Sequence, residues 1–144
     1  MMYTVYIPLV FIIHELGHAA FVMLFGGEVK EIRLGAGEDL FRVNKFIIKK
    51  NIYWGGFCAW ANIDPLAMYK KLLIYLGGII FNLATGTLIW IVGDVQYADW
   101  YRAFIVASYM TAFINILPFK IRNSSLESDG LQCIQLLRTA KRDS

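Results

Sequence analysis

Three stretches of the chain are apolar at almost every position. Tyr3 to Phe25, Leu72 to Val92 and Ala103 to Phe119 each approach the ~20 residues a helix needs to cross a bilayer, the third at the low end of the range. The pattern predicts three transmembrane helices. Between the first two, past the helix-ending pair Gly26-Gly27, the rhythm changes. Ile32/Leu34, Phe41/Val43 and Phe46/Ile48 alternate with polar or charged residues, which predicts two to four short β-strands between about Val29 and Tyr53. Gly55-Gly56 closes this strand-rich insert, and Asp64-Pro65 reads as an N-cap with proline at the first helical position, opening a helix into the second span. After Pro118 the chain turns through Ser124-Ser125. A final amphipathic helix carries Leu131, Ile134, Leu136 and Leu137 on its apolar side. The expected fold is an α-helical membrane protein: three transmembrane helices, a small β-hairpin region between the first two, and a C-terminal amphipathic helix. No internal repeat or second soluble domain interrupts residues 1–144, so they read as a single domain.

Composition agrees. Apolar residues make up 58% of the chain and charged ones 17%, against roughly 45–50% and 25% in soluble domains. The first run lacks a basic n-region and a small-residue cleavage site, so it does not read as a cleavable signal peptide. Eight lysines and arginines lie between the first two spans and five from Lys120 to Arg142, whereas Gly93–Asp99 has Asp94, Asp99 and no basic residue. The positive-inside rule then places the insert and the C-terminus in the cytoplasm and the N-terminus outside, in a multi-pass arrangement. Trp90, Tyr97, Trp100 and Tyr101 cluster at the outer boundary. A bacterial cytoplasmic membrane is the expected location. The net charge of +3 is accounted for by topology, and the basic residues form no compact motif or stacking platform for nucleic acid. Cys58 and Cys133 both fall on the reducing side and read as buried or incidental thiols.

The first span holds the sequence FIIHELGHA, residues 11 to 19. His14 and His18 are four residues apart and share one helix face, with Glu15 the next residue round. This H-E-x-x-H arrangement lets two imidazoles bind zinc while the glutamate acts as general base. Zinc suits the task because it lowers the pKa of bound water to about 7. Three ionisable groups in mid-span are costly, about 2.5–3.5 kcal/mol for each charge at the bilayer centre. One metal ion compensates all three. Gly17 beside them allows close approach of another helix or of substrate.

A catalytic zinc site needs a third protein ligand. Asp94 and Asp99 lie on the wrong side, Glu28, Glu31, Glu38 and Asp39 read as solvated charge, and Asp64 reads as a cap. Glu127 and Asp129 remain, just past the cytoplasmic end of the third span, where Asn115 and Pro118 precede the turn SDG (128–130).

Taken together, FIIHELGHA, LGGIIFNL (76–83), NILPF (115–119) and SDG resemble, in order, the three core helices of the site-2 protease family of intramembrane zinc metalloproteases. The strand-rich insert resembles that family's membrane-associated β-hairpin, and the resemblance spans nearly the whole chain. It implies that His14, His18 and Asp129 hold one Zn2+ per chain with Glu15 as base. It also implies that Asn82 and Gly78 face the substrate, Asn82 orienting the scissile peptide or stabilising its oxyanion; an interhelical hydrogen bond, common in membrane bundles, is the other reading of Asn82. Asn115 becomes either a partner of the site's ligands or a cap on backbone freed by Pro118. The chain departs from the family pattern in one respect: KIRNSSLE (120–127) widens the gap between Pro118 and SDG. Asp129 therefore has N-capping of the last helix as its other role, with Glu127 as the fallback ligand.

The expected activity is zinc-dependent hydrolysis of a peptide bond in or next to a transmembrane segment of a membrane-embedded protein or peptide. A strand edge in the insert is expected to hold the unwound substrate by β-augmentation. A catalytically silent scaffold or regulator of the same fold is the alternative, and its expected mark is loss of the glutamate or a ligand; all are present. A transporter is disfavoured because paired repeats and a polar path across the membrane are missing. A chain this small is expected to work with a membrane regulatory partner or a second copy of itself.

Overall fold

A computed structural model describes residues 2–120 and 127–142. Helix α1 (Met2–Leu24) leads through Gly26-Gly27 into a two-stranded antiparallel hairpin, β1 (Glu28–Val43) and β2 (Phe46–Ala61). Helix α2 (Met68–Val92), a short 3-10 turn at Val95–Tyr97, α3 (Ala98–Ile116) and α4 (Asp129–Arg142) complete the chain. The turn SDG lies at the start of α4, while Ser124-Ser125 falls outside the described residues.

Only two helices among the described residues are long and apolar enough to cross a membrane: Thr4–Leu24 of α1 and Met68–Val92 of α2. The expectation of three spans is therefore corrected. Helix α3 opens with Asp99, Trp100, Tyr101 and Arg102 and stops at Ile116, two residues before Pro118. What remains, Ala103 to Ile116, reaches only about 21 Å at 1.5 Å per residue, short of a ~30 Å hydrocarbon layer. Helix α3 instead runs back along α2, with Tyr101 against Gly93, Tyr109 bonded to Thr87 and Ser108 against Gly86. It thereby returns the chain to the end of the bundle where the hairpin sits.

The insert also differs from its expectation. Instead of short separate strands ending near Gly55, two strands of 16 residues run on to Ala61. Each bends. Segment 28–34 pairs with 56–61 on one side and, through Ile32 to Leu34, with 46–48 on the other; 46–48 pairs again with 41–43. One hairpin thus folds across itself into four short segments, which is why the alternation is broken into short stretches. The bend in β1 occurs at Gly35 and Gly37 (φ +87° and +90°), a backbone region that L side chains rarely adopt. The segment 56–61 is left as an edge, with no strand on its outer side among the described residues.

Two further local readings change. Helix α2 starts at Met68 with Ala67 at the cap position, so Asp64-Pro65 opens a turn rather than the helix itself. The first two helices meet at Gly17 and Gly77, where a Cβ on either would run into the other's backbone. Small residues let helix backbones approach in this way. The core lies below that crossing, where Ala19, Val22, Val29, Ile32, Cys58, Ile63 and Ile74 join α1, both strands and α2.

Candidate metal centre

Three buried side chains from two distant segments converge halfway along α1. His14 Nε2 lies 3.0 Å from Asp129 Oδ2, His18 Nε2 lies 3.4 Å from Asp129 Oδ1, and the two Nε2 atoms are 3.3 Å apart. Bonds of about 2.0–2.1 Å at tetrahedral angles place neighbouring ligand atoms of zinc about 3.3 Å from each other. The spacing fits. So does the donor chemistry. His18 Nδ1 donates to the Ile74 carbonyl at 2.7 Å, so the Nε2 of the neutral ring presents a lone pair. That lone pair faces a second imidazole nitrogen and a carboxylate whose Oδ2 is buried and receives no hydrogen bond. Acceptors packed so closely repel one another unless a cation lies among them.

The return of Asp129 across the wide gap has a visible cause. Lys120 and Glu127 form an antiparallel bridge at the neck of the 121–126 segment, and their side chains pair at 2.9 Å. Ser128 then clasps the end of α3: its Oγ donates to Leu117 O at 2.6 Å and accepts from Phe119 N at 3.0 Å. The same oxygen accepts from Leu131 N at 3.3 Å, so Ser128, not Asp129, supplies the side-chain cap of α4. Gly130 lies so close to the Ile116 carbonyl that no side chain fits there. Glu127 stays outside the cluster. Lys120 holds its carboxyl below the usual carboxylate range.

Glu15 is buried and lines a cavity of about 690 Å³ together with His14, His18 and Asp129. One wall is the outer edge of β2, from Trp54 to Trp60; the other is α4, with Gln132, Gln135 and Thr139. Gly56 backs directly onto Glu15: a Cβ there would lie 2.5–2.9 Å from three atoms of the Glu15 side chain. Gly56, half of a pair that reads from sequence as punctuation, thus makes room for the Glu15 carboxylate. Asn115 is half-buried in the cavity wall and donates to the Thr111 carbonyl of its own helix at 3.0 Å, with no hydrogen bond to His14, His18 or Asp129.

Asn82 and Gly78 take positions that the sequence does not disclose. Both lie behind His14 rather than along the cavity. Gly78 supports the imidazole face, where a Cβ would come within 2.5–2.6 Å of three ring atoms. Asn82 is completely buried, with its Nδ2 3.2 Å from His14 Nδ1. Trp60 packs against His18 at 5.8 Å between ring centroids and against Tyr75 at 5.7 Å, closing the other side of the pair. The two cysteines are free and buried. Burial, aided by the charges of Glu15 and Asp129 respectively, pushes the Cys58 thiol up to about 12 and that of Cys133 to about 11.

The sequence model of peptidase family M50 matches residues 2–103, which include α1, the hairpin and α2. The chain belongs to peptidase family M50. This is the site-2 protease family, so the M50 assignment makes the chain a relative of metalloproteases. Among relatives, the uncharacterized membrane protein YwmF of Bacillus subtilis is 27% identical over 143 residues, covering 97% of this chain and 89% of YwmF. A Borreliella burgdorferi protein, named provisionally as a zinc metalloprotease, is 29% identical over 114 residues, covering 61% of this M50 chain and 26% of that protein.

Proposed function

We propose that this M50 chain is an intramembrane zinc endopeptidase that cuts a peptide bond in or beside a transmembrane segment of a membrane-bound substrate. The observation that carries the reading is the convergence of His14, His18 and Asp129 within 4.8 Å of one another, beside a buried glutamate that belongs to neither the cluster nor an ion pair. His14, His18 and Asp129 hold the metal. When bound, zinc supplies Lewis-acid activation of water and of the scissile carbonyl. Glu15 takes the proton from the attacking water and delivers it to the departing amine nitrogen, so the peptide bond breaks without net change in the base. Gly56 leaves the carboxylate the space to do so.

Helices α1 and α2 cross the membrane, which buries His14 near mid-span. The hairpin and α4 share one end of the bundle, and they carry most of the lysines and arginines, so that end faces the cytoplasm. Substrate enters as an extended strand. The outer edge of β2 from Trp54 to Trp60 lines the cavity with backbone groups that no other strand uses among the described residues, and strand addition there supplies hydrogen bonds to an unwound segment. Helix α4 bounds it opposite.

The test is a comparison of membranes from the native host producing wild type or Glu15→Gln. New peptide termini in or beside a transmembrane segment are expected with wild type, and the uncut precursor should co-purify with Glu15→Gln. Identical termini in both would refute the proteolytic reading. Proline substitutions along the 54–60 edge should cut turnover and leave zinc bound; unchanged turnover in every such variant would remove strand addition from the account.

A further inference from the structure

The hydrogen bonding around His14 points to a different role for Asn82 from the oxyanion contact that the resemblance implies. Asn82 has no exposed surface and does not line the cavity, so no substrate atom reaches it. Its amide meets His14 Nδ1 at 3.2 Å. On that ring, Nε2 is the atom turned toward His18 and Asp129. A neutral imidazole carries one hydrogen, so a ring that gives Nε2 to a metal must carry it on Nδ1. That hydrogen needs an acceptor. The Asn82 amide is the group in place, and a half-turn about its terminal torsion exchanges nitrogen for oxygen at the same position. The exchange breaks no bond of the oxygen, because Asn82 Oδ1 is buried without a hydrogen-bond partner in its present orientation.

His18 shows the same design complete: its Nδ1 donates to the Ile74 carbonyl, also on α2. We infer that Asn82 is a positioning residue whose side-chain oxygen accepts from His14 Nδ1–H, fixing the tautomer and ring orientation that present Nε2 to the metal. On this view α2 steadies both imidazoles from behind, through a backbone carbonyl for one and a side-chain amide for the other. Partners of this kind commonly set metal affinity by about 10–100-fold. The inference rests on the zinc reading of the site and adds a residue to it.

Two substitutions separate an acceptor from a donor. Asn82→Asp keeps an oxygen for His14 and removes the N–H groups that an oxyanion would need, whereas Asn82→Leu removes both. Zinc affinity of the full-length protein in detergent is measured by competition with a chelator. Asn82→Leu should bind about 10–100-fold more weakly than wild type, and Asn82→Asp should stay within a few-fold of it. Wild-type affinity in Asn82→Leu, or an equal loss in both, would overturn the inference. Nitrogen-15 spectra of the zinc-loaded wild type give a reading free of folding effects in the variants. The hydrogen should reside on His14 Nδ1 and be hydrogen-bonded; metal on Nδ1 would refute the assignment. A wild type that takes up no zinc would instead strike the reading of the site itself.

Discussion

Replacing Gly78 with alanine tests how tightly α2 supports the proposed metal centre. The new methyl would lie 2.5–2.6 Å from the Cε1, Nε2 and Cδ2 atoms of His14, where ordinary contact begins at 3.4 Å. Because Gly78 lies within α2 and packs at the helix crossing beside Gly77, its backbone has little freedom to retreat. The ring must move by about 1 Å. Metal–ligand distances tolerate only about 0.2 Å, so His14 Nε2 cannot keep its place beside Asp129 and His18. The affinity for zinc should fall at least tenfold, which corresponds to about 1.4 kcal/mol, with overpacking costing the fold about 1–3 kcal/mol besides. Gly86→Ala is the control on the same helix. Its Cβ would meet Ser108 Cβ at 3.3 Å and nothing closer, and alanine gains about 1 kcal/mol of helix propensity. Zinc affinity by chelator competition and thermal denaturation should be measured for both. A Gly78→Ala protein that binds zinc as tightly as Gly86→Ala would refute the argument that this glycine exists to seat the imidazole.

Other consequences follow from the same contacts. Gly56→Ala should displace Glu15 and slow cleavage of a substrate captured with Glu15→Gln, while zinc content stays at the wild-type level; equal rates would show that the base does not depend on this space. Ser128→Ala removes three hydrogen bonds at the neck of α4 and should cost about 1–3 kcal/mol of stability. It should also loosen zinc, and a melting curve and zinc affinity unchanged from wild type would contradict the clasp. With the Cys58 thiol pushed up to about 12, only on the order of one molecule in ten thousand carries its thiolate at pH 8. Alkylation of the native protein at pH 8 should therefore be slow at Cys58 and become rapid on unfolding, as mass spectrometry of labelled peptides would show.

What could be read directly from the sequence was local. The i, i+4 spacing of His14 and His18 needs only a helix to bring both rings to one face, and α1 provides it. The amphipathic pattern after SDG likewise yields α4. An apolar count overstates an element whose ends are polar. Asp99 and Arg102 at one end and Pro118 at the other shorten the apolar part of α3, and both signals were present in the chain. The alternation in the insert marked the paired segments without showing that they are bends of two long strands, since the folding back depends on glycine φ values rather than on period. Long-range contacts were less accessible still. Asn82 and His14 are 68 residues apart, and LGGIIFNL alone does not distinguish an asparagine facing substrate from one facing a ligand's far side. The same holds for Gly56, whose meaning lies in a glutamate on another element.

The central claim is that three side chains form one zinc site, and zinc content measures it most directly. Full-length protein purified in detergent with zinc supplied should carry about one zinc per chain, as should Glu15→Gln and Glu127→Ala. His14→Ala, His18→Ala and Asp129→Ala should each lose it while remaining folded by circular dichroism. A folded wild type without zinc would contradict the account, and so would zinc retained by Asp129→Ala.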